Sequence, residues 1–138
     1  MIRLLIISLF SVIPLLGSAG EPTVVRYIRF VGGTESPKLT MDSIVLTDEY
    51  TRLFGKLSGL PHTSCRIDEI ELKGCSTESA VSNDIDGIDY RRWFQWEDDG
   101  TIPLEVDFPP SVILSDTFMI EAKTPRGMVQ WKYSHTTD

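Results

Sequence analysis

Helical patterning is missing from this chain. No stretch longer than about ten residues repeats apolar side chains at three-to-four spacing, which excludes a helical bundle. Histidine is scarce: His62 and His135 are the only two, and neither stands at ligand spacing from another His or from Cys. A Ser–His–Asp hydrolase would need one of them as its base, and no nucleophile-elbow motif accompanies either. An enzyme is therefore not expected, and no residue is assigned as catalytic. The only asparagine, Asn83, precedes Asp84 and Ile85, so no N-glycosylation acceptor exists. Basic residues are outnumbered, 13 Lys and Arg against 20 Asp and Glu, for a formal charge of −7. That balance excludes nucleic acid, whose affinity comes from cations neutralising phosphates. It also excludes simple adsorption to anionic lipid. Solubility, a basic extracellular protein partner or a bound cation remain as reasons for the acidity.

Long apolar runs are lacking as well, with one exception at the start. Arg3 leads an apolar run over residues 4–16, small residues follow, and the chain turns polar at Glu21. This is the order of a secretory signal peptide, and the run is shorter than the roughly 20 residues of a membrane span. Residues 1–20 are read as a leader cleaved near Ala19 or Gly20, with an uncleaved anchor as the alternative. Residues 21–138 then form a single secreted, extracellular domain. No later segment is long and apolar enough to cross a bilayer.

The chain has two cysteines, Cys65 and Cys75. In an oxidising compartment so close a pair is expected to form a disulfide. Closing that short loop would contribute about 2–3 kcal/mol in the chain-entropy model. A reactive thiol would need an activating base, and nothing nearby in sequence supplies one.

What the chain does have is short alternating runs between turn clusters. Residues 24–31 are β-branched and aromatic, although Arg26 shares the parity of Val24, Ile28 and Phe30. Residues 39–47 carry apolar side chains on both parities, which predicts a strand covered on both faces. Residues 48–60 are ambiguous; residues 49–54 fit one helical turn or an irregular edge. Residues 67–72 read as a short strand between the cysteines. Leu104, Val106 and Phe108 alternate with Glu105 and Asp107, Phe118, Ile120 and Ala122 oppose Met119, Glu121 and Lys123, and Val129, Trp131 and Tyr133 follow a Pro125-Arg126-Gly127 turn. Many short strands with regular turn signals predict an all-β, antiparallel β-sandwich or jelly roll.

From Ile85 onward the order of features resembles a discoidin, or coagulation factor 5/8 type C, domain of the galactose-binding-like superfamily. The matching pieces are Ile85-Asp86-Gly87, Trp93 or Trp96, Pro103-Leu104-Glu105-Val106-Asp107-Phe108, Phe118 to Ala122, Pro125-Arg126-Gly127 and Trp131-Lys132-Tyr133-Ser134. Arg26-Tyr27-Ile28-Arg29-Phe30 and the strand after it resemble another strand pair of that family. The chain stops at Asp138 where such domains commonly continue, so the resemblance implies a minimal, permuted or shortened sandwich. It also implies a non-enzymatic module that recognises a glycan or glycoprotein through loops at one end. The alternative is a secreted adhesin or host-directed factor that binds a basic protein.

Two groups of candidate site residues follow. The first is Asn83 with Asp86, in a turn rich in the oxygen donors that Ca²⁺ takes. Calcium-binding lectins of the resembled superfamily use an Asn-x-Ile-Asp-Gly segment, matched here by Asn83 and Asp86. Ser43 stands where those lectins often place a completing glutamate. A solvated loop whose Asp side chains cap turns is the competing reading. The second group is Trp96, Arg92 and Arg126, an aromatic platform and guanidinium donors for a sugar ring. The family tryptophan packs inside, so Trp93 is expected in the core together with Trp131. His135 is expected at the surface.

Overall fold

The computed structural model describes residues 22–75, 79–110 and 114–135. The leader expected over residues 1–20 lies outside the described residues. Among the described residues there is no helix, and none long and apolar enough to cross a membrane.

The strands, numbered in chain order, form two five-stranded antiparallel sheets and one small ladder. The first sheet runs β1 (Thr23–Val25), β3 (Lys38–Leu46), β4 (Thr51–Ser58), β10 (Thr101–Phe108) and β8 (Asp84–Asp86). The second runs β2 (Ile28–Gly33), β12 (Gly127–His135), β11 (Leu114–Thr124), β6 (Glu69–Cys75) and β7 (Ala80–Val81). A ladder of β5 (Ser64–Cys65) and β9 (Phe94–Gln95) stands apart from both.

Alternation explains the layering. Leu104, Val106 and Phe108 of β10 are buried, as are Phe118, Ile120 and Ala122 of β11 and Trp131 and Tyr133 of β12. With Leu39, Ile44, Leu53 and Leu57 from the first sheet they form one apolar core. Each fully buried Leu, Ile or Val in such a core contributes about 1.5–3 kcal/mol. Two side chains also tie the sheets together by hydrogen bonds. Trp131 Nε1–H donates to Pro37 O at 3.0 Å, and the Tyr133 hydroxyl donates to Leu39 O. Both tips would otherwise be buried without partners, at a cost of about 1–3 kcal/mol apiece. The result is a sandwich-like stack of antiparallel sheets.

Several expectations are corrected. Residues 24–31 are two strands, because the chain leaves the first sheet after Val25 and enters the second at Ile28. That break accounts for the faulty parity around Arg26. Strand β3 is covered on one face only. A bulge between Met41 and Ser43 shifts its parity, so Leu39, Met41 and Ile44 all point inward. Residues 51–58 form an interior strand, β4, and not a helical turn. Gly55 hides its alternation; a Cβ there would meet Thr40 O at 2.5 Å, so the buried position tolerates no side chain. His135 is enclosed, 8% exposed, with Nε2 at 2.8 Å from Ser115 O and its ring beside Phe118.

The expected Cys65–Cys75 disulfide is not seen: among the described residues Cys65 carries a free thiol. Strand β6 starts at Glu69, opposite Lys123, and ends at Cys75, opposite Leu114. Its length separates the two ends of the sheet by about 20 Å. Cys65 lies at the Lys123 end, near Thr124 and Arg126. A bridge requires Cα atoms within about 7 Å. The side chain of Cys75 lies outside the described residues.

Candidate functional site

Four connecting segments gather at the end of the sandwich where β4 ends and β11 turns into β12. They enclose a cleft of about 450 Å³. Its walls come from Ser36 and Pro37 before β3, Leu60 with residues 63–66, Trp93 with Trp96, and the Thr124-Pro125-Arg126 tip.

Backbone bonds stitch these segments into one frame. Asp68 N–H donates to Lys123 O at 2.7 Å and Arg91 N–H to Ile67 O at 2.9 Å. His62 N–H donates to Trp96 O at 2.8 Å, and Trp96 N–H to Thr63 O at 2.9 Å. His62 and Arg91 are held at φ 67° and 61°, the left-handed region that non-glycine residues seldom occupy. Both therefore store backbone strain in the loops around the cleft, of the kind that gathers at binding sites. The Arg91 guanidinium secures its own position by donating to Asp68 O at 3.0 Å.

The two neighbouring tryptophans exchange their expected places. Trp96 is buried, 3% exposed, edge-on to Phe94 at 5.2 Å. Gly59 makes this possible, since a Cβ there would lie 2.2 Å from the indole. Trp93 is 54% exposed and faces the cleft, contrary to the expectation that it packs inside. Trp131 is enclosed as expected. Sequence reasoning missed Trp93 as the exposed platform, because only the distant Gly59 decides which indole is admitted.

Of the three residues expected to touch a ligand, Trp96 and Arg126 line the cleft. Arg92 does not; it pairs with Asp89 at 3.4 Å on the surface. Arg66 was missed. It lines the cleft with its Nε 2.7 Å from Asp68 Oδ1. Cys65 is half-buried in the wall. Burial pushes its thiol pKa up, while the Arg66 backbone N–H and the Arg126 charge pull the other way. Such a thiol is a poor nucleophile at neutral pH.

The proposed Ca²⁺ donors do not converge. The segment of Asn83 and Asp86 is not a loop but runs along edge strand β8, with Asn83 N–H bonded to Asp107 O at 3.0 Å. Asp86 stands opposite Glu105, Glu105 opposite Phe54, and Phe54 opposite Ser43. Three strand spacings, about 14 Å, separate Asp86 from Ser43. Among the described residues no group of three or more His, Cys, Asp or Glu is arranged to hold a metal ion. Ser43 therefore does not complete a donor set with Asn83 and Asp86.

What β8 does form is an acidic outer face on the first sheet. Asp84 faces Asp107 and Asp86 faces Glu105. Like charges directly opposed across strands are destabilising. Arg52 offsets part of this, with Nε and Nη2 at 2.7 and 3.0 Å from the two Asp107 carboxylate oxygens and its guanidinium over the Tyr50 ring.

The chain matches no protein-family model, no curated protein and no solved structure.

Proposed function

We propose that this chain is an extracellular, non-enzymatic binding module that takes a glycan in the cleft at one end of its sandwich. The observation that carries this reading is the Trp93 indole, half exposed in a walled cleft beside Arg126. A sugar ring offers an apolar C–H face and a rim of hydroxyls. An accessible indole receives the first, and guanidinium and Ser or Thr hydroxyls bond the second. Ser36 and Ser64 supply such hydroxyls along the wall. The secretory pattern of residues 1–20 supports export. The ordered motifs from Ile85 to Ser134 support a galactose-binding-like, discoidin-type jelly roll as the finer fold.

A glycan array and titrations with the array's best oligosaccharides test the proposal. Binding should be lost in Trp93→Ala and retained in Arg92→Ala, since Arg92 lies outside the cleft. No binding to any sugar at millimolar concentration would refute it.

A second reading rests on the opposed carboxylates of β8 and β10: a basic extracellular protein docking on the outer face of the first sheet. Such binding should weaken steeply with salt and be indifferent to Trp93→Ala.

A further inference from the structure

Charge is distributed unevenly between the cleft and the rest of the chain. Acids outnumber bases 20 to 13 overall, yet the cleft lining contains two arginines, Arg66 and Arg126, and neither Asp nor Glu. Arg66 is partly neutralised by Asp68 at 2.7 Å. Arg126 has no carboxylate within ion-pair distance among the described residues. Its backbone is fixed at the two-residue tip of the β11–β12 hairpin. Arg126 N–H donates to Thr124 Oγ1 at 3.2 Å, and that hydroxyl donates to Gly127 O at 2.7 Å.

We infer that the ligand of this cleft is an acidic glycan, whose carboxylate or sulfate group is received by Arg126 while a sugar ring lies on Trp93. This inference rests on the reading of the cleft as a glycan site and names the class of glycan. Arg126 is exposed at the tip of its hairpin, so its guanidinium is free to take a counter-charge from a ligand lying in the cleft. A planar guanidinium matches two oxygens of a carboxylate or sulfate at once, and such charge-assisted pairs are about twice as strong as neutral hydrogen bonds. The surrounding acidity sharpens the choice. The opposed carboxylates of the β8–β10 face repel anions, whereas the cleft lining carries two arginines and no carboxylate.

The test compares matched neutral, uronate-bearing and sulfated oligosaccharides by calorimetric titration of the full chain, with inorganic sulfate as a control. Wild-type protein should bind the acidic sugars at least about tenfold more tightly than their neutral counterparts at low salt. Arg126→Gln should bring that ratio to within about twofold while weak neutral-sugar binding persists, and Arg126→Lys should fall between. The ratio should shrink as ionic strength rises from about 50 to about 500 mM. Equal affinity for neutral and acidic sugars, unchanged in Arg126→Gln, would overturn the inference and leave the glycan reading standing. Inorganic sulfate binding as tightly as the sulfated sugar, with no effect of Trp93→Ala, would overturn it as an adventitious anion site. Failure of every sugar would sink both readings together.

Discussion

Replacing Tyr133 by Phe tests the enclosure of the core through a pH dependence that surface groups cannot mimic. The Tyr133 side chain is 1% exposed, and its hydroxyl donates to Leu39 O across the two sheets. Burial pushes its pKa well above the ordinary value. In the unfolded chain the phenol ionises near pH 10. The raised folded value means that the stabilisation is fully present below roughly pH 10 and lost as pH climbs further. By about pH 12 wild-type protein should have lost roughly 2–3 kcal/mol through this one group. At neutral pH, Tyr133→Phe should itself cost about 1–2 kcal/mol, since it leaves the Leu39 carbonyl unpaired. The variant has no phenol to titrate here. The two stability curves should therefore converge above roughly pH 10 and cross near roughly pH 11. Urea unfolding followed by tryptophan fluorescence at a series of alkaline pH values measures this. Other alkaline groups act on both proteins and cancel in the difference. A gap that stays constant from neutral to alkaline pH would refute the claim that this hydroxyl is sealed between the sheets.

Gly59→Ala should drive a methyl group into the Trp96 ring, destabilise the fold by about 1–3 kcal/mol and weaken glycan binding; an unchanged midpoint and fluorescence spectrum would contradict the packing. Arg52→Met should expose the opposed carboxylates of β8 and β10 to mutual repulsion, costing about 1 kcal/mol at low salt and less at high salt. Denaturation at two ionic strengths checks this, and an identical loss at both would count against electrostatics as the cause. Iodoacetamide without reductant should label Cys65, slowly at neutral pH because burial raises its pKa. Peptide mapping that recovers Cys65 joined to Cys75 would contradict the backbone separation. Tyr90, pushed up to about 12 by burial and bonded to Ser82 Oγ, should add a second alkaline loss of stability beginning near pH 10. Tyr90→Phe should remove that component in the same urea series.

The layers were readable where the pleat was regular. Buried and outward side chains alternate along β10 and along β12 from Val129, and Phe118, Ile120 and Ala122 keep one parity in β11, so these buried faces followed from parity alone. Reading failed where the backbone departs from the two-residue repeat. The bulge in β3 moved Ile44 onto the same face as Leu39, and the sheet change at Arg26 put one apparent run into two layers. Gly55 concealed β4 because a buried glycine carries no apolar signal.

The site was legible only in fragments. Arg126 announced itself through its turn, and it lies in the cleft lining. The choice between Trp93 and Trp96 depended on Gly59, a contact between segments that no local pattern encodes. Asn83 and Asp86 carried a donor pattern, but ligation needs a third group nearby, and β4 and β10 separate them from Ser43. The spacing of the two cysteines said nothing of the run of β6 between them, whose backbone extends from Glu69 to Cys75.

The most direct measurement is the indole N–H region of a ¹⁵N-labelled protein titrated with an acidic oligosaccharide. Three tryptophan signals are expected, from Trp93, Trp96 and Trp131. If the cleft is the binding site, the Trp93 signal shifts most, Trp96 in the cleft wall responds less, and Trp131 in the core stays in place. Shifts confined to residues on the outer face of β8 and β10, with Trp93 unmoved, would contradict it.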